Sequence, residues 1–214
     1  MKQDDTKRLI LKKALELFSL KGYDSVSVAE IAEAVGIKAP SLYNHYANKQ
    51  AIFDAIVKDT AEQYDKYTSE VDVHVGNAKK DKGLFAQISE EALKEKVKSI
   101  FVYSLHNEQI CSFRKMLTIE QFRTHELSEL YSKRFADRMT EYHAEIFRGL
   151  VCAGVIKECN PETLALMYVS PILVLLGVCD RQPEREKECL EKLDAHVSLF
   201  FRTFNKQNET QTKR

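Results

Sequence analysis

The sequence predicts an all-α protein, and three observations carry that expectation. Glycine (7) and proline (4) together make up about 5% of the 214 residues, against a usual share of about 12%, so turns are few and helices long. Apolar residues recur at three- and four-residue spacing through most of the chain, the period of one helical face. Capping and stop signals punctuate that pattern. A many-stranded sandwich is disfavoured on the same grounds.

Taken in order, residues 6–20 place Leu9, Ile10, Ala14, Leu17 and Phe18 on one stripe, with Asp5 or Thr6 as the expected cap and Gly22 as the stop. Ser27-Val28-Ala29-Glu30 fits a capping box, and the helix it opens points Val28, Ile31, Ala32 and Val35 inward before ending at Gly36. Pro40 marks the first turn of a short helix, about Ala39 to Tyr46, where its missing N–H costs nothing. Asn48 caps a longer helix with Ile52, Phe53, Ile56 and Val57 on one face. Residues 69–86, with Gly76, Gly83 and Lys79-Lys80-Asp81-Lys82, break the periodicity and read as a mobile link. Within it Val71, Val73 and Val75 alternate like a short strand with nothing nearby to pair. Further helices are expected near 88–106, 108–123, 126–153, 161–179 and 184–205. Gly154 ends the third of these, and Asn160-Pro161-Glu162 opens the next. Pro171 withdraws an N–H from the Met167 carbonyl and predicts a kink beside Tyr168. The polar residues from Asn205 onward are expected to fray.

Charge narrows the function. Lys plus Arg and Asp plus Glu are both 32, which argues against a polyanion binder that uses its whole surface. The balance is not uniform, because residues 1–50 hold eight basic and six acidic residues and residues 51–214 hold 24 and 26. Between Glu33 and Asp54 there is no acid at all, while Lys38, His45 and Lys49 fall in that interval. No apolar run approaches the roughly 18 residues of a membrane span, and the N-terminus is polar and acidic, unlike a signal peptide. Five cysteines (111, 152, 159, 179, 189), with no CxxC pair, suit reduced thiols. These features predict a soluble, cytoplasmic protein with no membrane partner. No GxGxxG, GxxxxGK, HExxH or GxSxG motif is present, and His74, His106, His125, His143 and His196 show no ligand spacing. The expectation is therefore a non-enzyme with no cofactor and no metal.

Helix, tight glycine turn, short helix is the arrangement by which a second helix enters the DNA major groove, and it is equally that of an ordinary helical hairpin. The acid-free interval over the second helix favours the first reading. Residues 6–57 also resemble the N-terminal domain of the TetR/AcrR family of bacterial transcriptional repressors. The resemblance rests on Ala14-Leu-Glu-Leu-Phe18, Gly22-Tyr23, Ser27-Val-Ala-Glu-Ile-Ala32, Val35-Gly36-Ile37, Leu42-Tyr43-Asn44-His45-Tyr46 and Asn48-Lys49-Gln50-Ala51-Ile52. Weaker support comes from Phe147-Arg-Gly-Leu-Val151 and Asn160-Pro-Glu-Thr-Leu-Ala165. Ala29 departs from members that carry a polar or basic residue there.

The resemblance implies an N-terminal three-helix helix-turn-helix DNA-binding domain, residues 1–50, and a C-terminal helical bundle for ligand binding and dimerisation, residues 51–214. The expected DNA-facing set is Ser27, Lys38, Ala39, Pro40, Ser41, Tyr43, Asn44, His45 and Lys49. Ser41 hydroxyl and first-turn N–H groups suit a phosphate, and Lys49 at a helix start suits a phosphate clamp. The Asn44 amide suits adenine N6 and N7. Leu42 and Tyr46 are expected inside and Tyr43 outside. The partners implied are a palindromic double-stranded DNA operator, a second copy of the chain through the last two helices, and a small apolar or aromatic effector. Candidate effector-lining residues are Phe101, Ser104, Phe113, Met116, Met139, His143, Tyr168 and Ile172. The alternatives are a constitutive DNA-organising protein without an effector, a helical enzyme, and a thiol-based redox sensor using Cys152 and Cys159.

Overall fold

A computed structural model describes residues 3–206, with side chains from Asp5 onward, so residues 207–214 of the tail expected to fray lie outside it. The described residues form α1 (Gln3–Lys21), α2 (Val28–Val35), α3 (Ala39–Tyr43), α4 (Lys49–Glu70), α5 (Ala78–Gln87) and α6 (Glu90–His106). They continue with α7 (Glu108–Glu120), α8 (His125–Ser132), α9 (Arg138–Cys152), α10 (Pro161–Arg181) and α11 (Glu186–Phe204). A π-helical turn, Lys133–Asp137, joins α8 to α9. Two compact units result: one holds the described residues up to Tyr64 with His106–Tyr131, the other Asp65–Leu105 and the residues from Ser132. This division of packing is a different line from the functional boundary expected at residue 50.

In the first unit α1 packs against α2 and α7, burying Ile10, Ala14, Leu15 and Phe18. The helix begins ahead of its expected cap, so Asp5 and Thr6 lie inside its first turns. Gly22 ends it with φ of +81°. A Cβ there would lie 2.6 Å from Glu120 Oε1, so this glycine is required by conformation and by space. The capping box of α2 forms as read: Ser27 Oγ accepts from Glu30 N–H at 3.1 Å, and the Ser27 N–H donates to Glu30 Oε2 at 2.7 Å. Gly36, at φ of +77°, closes that helix. The helix that follows is shorter than expected: α3 stops at Tyr43, Asn44 is its C-cap, and His45 and Tyr46 form the turn beyond.

The second unit corrects the reading of residues 69–86 as a mobile link. Residues 78–87 are α5, which packs on α9, and no strand forms at Val71, Val73 and Val75. Val73 is instead buried as the chain turns off α4, its N–H donating to the Thr68 carbonyl at 2.8 Å. Asp81, inside the charged run of the expected mobile link, is 2% exposed. Its carboxylate accepts from the His74 N–H at 2.5 Å and from the His74 ring at 2.6 Å, and also from the Tyr142 hydroxyl. A buried carboxylate persists when several donors replace its water.

In the same unit α10 packs between α9 and α11. It is 21 residues long and holds an 18-residue stretch of mean hydropathy 1.9, long and apolar enough to cross a membrane by length and composition, which corrects the expectation that no segment approaches that size. One face is core: Leu164, Ala165, Tyr168, Val169, Leu175 and Cys179 are buried. Around Pro171 the side chains of Ser170 and His196 donate to the carbonyls of Leu166 and Tyr168, at 2.7 and 2.9 Å. The expected fraying does not begin at Asn205, because the Lys206 N–H donates to the Val155 carbonyl and the Lys157 N–H to the Phe204 carbonyl, both at 3.0 Å.

Two stability measurements test this packing. Asp81→Ala leaves donors from His74 and Tyr142 buried without an acceptor and is expected to cost about 3 kcal/mol, read by denaturant unfolding. Glu30, held at about pKa 2 by the Ser27 amide and Lys21, stabilises the fold above its ordinary 4.5 and loses that contribution as pH falls toward 2. Glu30→Gln should therefore flatten the acid limb of the melting temperature between pH 4.5 and 2, leaving the remaining carboxylates to set its slope.

Candidate nucleic-acid interface and effector cavity

The turn between α2 and α3 and the outer side of α3 carry most of the expected DNA-facing set. Ser27, Lys38, Pro40, Ser41, Tyr43 and Asn44 are exposed, and Ala39 and His45 are half-buried. The inner side of α3 is fixed by Leu42, which is fully buried, while Tyr43 keeps 52% of its surface in solvent. Lys38 is the N-cap residue of α3 and makes no side-chain cap bond, so its ammonium is free to reach outward. The Ser41 N–H donates to the Lys38 carbonyl at 2.8 Å, which leaves the hydroxyl, not the amide, as the anion-facing group. Ser27 Oγ is engaged as a cap but retains its proton for donation. His45 Nδ1 is buried with no hydrogen-bond partner among the described residues.

Lys49 departs most from its expected role. Its Nζ donates to the carbonyls of Tyr23 and Val26 at 2.9 and 3.0 Å, reaches that of Asp24 at 3.4 Å, and sits 4.3 Å from the Tyr23 ring centre. An ammonium has three protons, and all three have carbonyl partners here. The phosphate clamp expected of Lys49 is therefore replaced by a strap across the loop between α1 and α2. Asn48 caps α4 as read, its Oδ1 accepting from the Ala51 N–H at 2.8 Å.

On the other side of the same loop stands Glu120, a fully buried residue that its sequence pattern does not single out. It accepts the Tyr23 N–H at 3.0 Å and pairs with Arg123 at 3.2 Å, and Arg123 reaches Asp24 at 3.3 Å. Acids near the recognition surface are also engaged: Glu30 with Lys21 at 3.0 Å, and Asp54 with the Gln50 amide at 2.8 Å.

The candidate effector residues do not converge. Phe113 and Met116 are buried on α7 in the first unit. Phe101 belongs to a cluster with Leu175, Cys179, Cys189 and Leu193 in the second, and Ser104 donates to the Ile100 carbonyl at 2.8 Å. Met139 and Ile172 are partly buried against the main core of that unit. His143 and Tyr168 do meet, with ring centres 5.1 Å apart, in the wall of a cavity of about 60 Å³. The rest of the wall includes Phe85, Phe147, Leu150, Phe200 and Phe204, which sequence reading missed as lining. Their helical spacing was visible, but spacing alone does not separate a cavity wall from a filled core. His143 Nδ1 lies 2.7 Å from the Met139 carbonyl and must carry the proton. Desolvation pushes the ring down to about pKa 4, so it is neutral, and burial raises the Tyr168 hydroxyl above its ordinary value. Cys152 is exposed and burial raises the Cys159 thiol, an arrangement that does not favour a reactive pair.

Comparison with known proteins bears on both units. The family described as bacterial regulatory proteins, tetR family, matches residues 10–56, which span α2, α3 and the adjoining parts of α1 and α4. The HTH-type transcriptional repressor ComR of Escherichia coli K12 is 45% identical over 47 residues, 22% of this chain and 22% of that protein. The match thus spans less than a quarter of that relative's length. A TetR-family regulator from Mesorhizobium loti is 20% identical and covers 96% of this chain and 99% of its own, at a TM-score of 0.69. SmeT in complex with triclosan, the repressor of a Stenotrophomonas maltophilia multidrug efflux pump, is 18% identical over 94% of this chain and 92% of its own, at a TM-score of 0.68. Residues 10–56 thus match the family described as bacterial regulatory proteins, tetR family, and the chain as a whole has the fold seen in TetR-family regulators.

Proposed function

We propose that this chain is a ligand-released transcriptional repressor that binds a palindromic operator as a homodimer. Residues 1–50 act as the DNA reader and residues 51–214 as the effector-binding and dimerisation part. The observation that carries the reading is the acid-free surface of the turn and α3, where exposed Lys38, Ser41, Tyr43 and Asn44 surround the buried Leu42. Lys38, Ser41 and Tyr43 donate to phosphates, which sets register, while the Asn44 amide reads a base edge. His45 supplements the phosphate contacts, and Ser27, Ala39 and Pro40 form the surrounding contact surface. Lys49 acts indirectly by holding the loop that orients α2.

The last two helices supply the partner surface. On α10 Leu166, Met167 and Val174 are more than half exposed, opposite its buried face, and on α11 so is Leu199. A long apolar helix with one face in the core and the other bare suits a second copy of itself better than lipid, which would surround it. Two copies would set their recognition helices about 34–36 Å apart, one turn of DNA. An effector favouring a state without that spacing releases the operator. The cavity between aromatic side chains supports an effector over a constitutive DNA-organising role, and the fold that holds triclosan in SmeT supports it further.

Binding to a duplex series separates the contact roles. Lys38→Ala should weaken all duplexes alike and shallow the salt slope by about 1, whereas Asn44→Ala should relax sequence preference at one position. Lys49→Ala should lower the melting temperature and leave the salt slope as it is; a slope reduced as by Lys38→Ala would restore the phosphate clamp. The dimer is tested by Val174→Glu, which should convert the sedimenting species to monomer and abolish operator binding while leaving helicity unchanged.

A further inference from the structure

The cavity in the second unit has a chemical character more specific than apolar. Its wall carries five phenylalanines and no Lys, Arg, Asp or Glu. A carboxylate placed there would lose its water and gain no cation. His143 does not supply one, because its Nδ1 proton is held by the Met139 carbonyl and the ring stays neutral. His143 Nε2 is then an acceptor, and it bonds no other group among the described residues. The Tyr168 hydroxyl, on a ring 5.1 Å from that of His143, likewise bonds none of them. An acceptor on one ring and a hydroxyl on its neighbour, in a wall whose other residues are apolar except Asn205, match one ligand group that both donates and accepts.

We infer that the cavity takes an uncharged single-ring aromatic alcohol, its hydroxyl shared between His143 Nε2 and the Tyr168 hydroxyl, and that it rejects carboxylates. Size points the same way. At about 60 Å³ the cavity is smaller than the roughly 150 Å³ that admits benzene elsewhere, so even one ring must displace side chains, and fused rings must displace more. This inference rests on the reading of the chain as an effector-released regulator, and it names the effector class for that reading.

Calorimetry of the full chain with 4-ethylphenol, 4-ethylanisole and 4-ethylbenzoate at pH 7 tests it. The phenol should bind about ten-fold more tightly than the anisole, which lacks the donor, and the benzoate about a hundred-fold more weakly than the phenol. His143→Phe and Tyr168→Phe should each reduce the advantage of phenol over anisole while holding the anisole affinity within about three-fold. Tyr168→Phe removes a single oxygen and keeps the test decisive if His143→Phe does not fold. Benzoate binding as tightly as phenol, both variants keeping the full preference, or no binding of any probe overturns the assignment. Operator binding measured in parallel separates the two claims. Phenol bound without operator release sinks the effector reading and leaves the cavity chemistry standing, whereas operator binding with no phenol bound sinks only the cavity chemistry.

Discussion

The recognition surface depends on how the five residues from Gly22 to Val26 are held. A tight loop between two helices strands backbone groups that neither helix satisfies. Here an ammonium and a carboxylate from distant parts of the sequence close on it from two sides: Lys49 takes the Tyr23 and Val26 carbonyls, and Glu120 takes the Tyr23 amide. Bonds to charged groups contribute about 1.5–3 kcal/mol each, more than neutral ones, so a few suffice to fix the loop. The Tyr23 ring adds to this, lying under the ammonium and against Phe18 and Phe53, each with ring centres 5.1 Å away. With the loop fixed, Ser27 starts α2, Gly36 ends it, and α3 begins three residues later at Ala39. The acid-free surface is thus positioned by charges that do not themselves belong to it.

How much of this was legible in the sequence follows from the range of each interaction. The box at Ser27 and Glu30, the left-handed Gly36, Pro40 in the first turn of α3 and the Asn48 cap each lie within four residues of their partners, and each was read correctly. Asp81 and Tyr142 meet across 61 residues, and Tyr23 and Glu120 across 97, so nothing in their local pattern announced the pairing. The run Lys79-Lys80-Asp81-Lys82 reads as part of a mobile link because the apolar period breaks there, and a broken period does not show that one of its charges turns inward. Lys49 shows a related limit. Its position at a helix start was correct, but position alone does not decide whether a long side chain reaches out to a phosphate or back to a carbonyl.

Placement of charge separates the two tasks more sharply than their totals do. In the first unit Glu30 is engaged by Lys21 and its own cap, Asp54 by Gln50 and Asp24 by Arg123, whereas Glu33, in the last turn of α2, is exposed. Lys38 and the donors beside it lie in the interval between Glu33 and Asp54 that holds no acid, so a local positive patch coexists with a net charge of zero. In the second unit the charge that is buried, Asp81, is satisfied within its own network, and the cavity wall is free of charge altogether.

A cavity smaller than the ligand proposed for it has an energetic consequence. The apparent affinity falls with the fraction of molecules already open, so part of the binding energy goes into holding the wall apart. The part of the wall that can yield is constrained. His143 and Phe147 sit in the interior of α9, whereas Phe200 and Phe204 lie on the last two turns of α11. That end is held by an antiparallel bridge between Ile156 and Asn205 and by backbone bonds at 3.0 Å. A few exposed backbone bonds open at far lower cost than a buried helix shifts. Under the proposed function, opening for a ligand would fall on the end of α11, the helix on which Leu199 is exposed, so cavity occupancy and a dimer surface there would be coupled through one element.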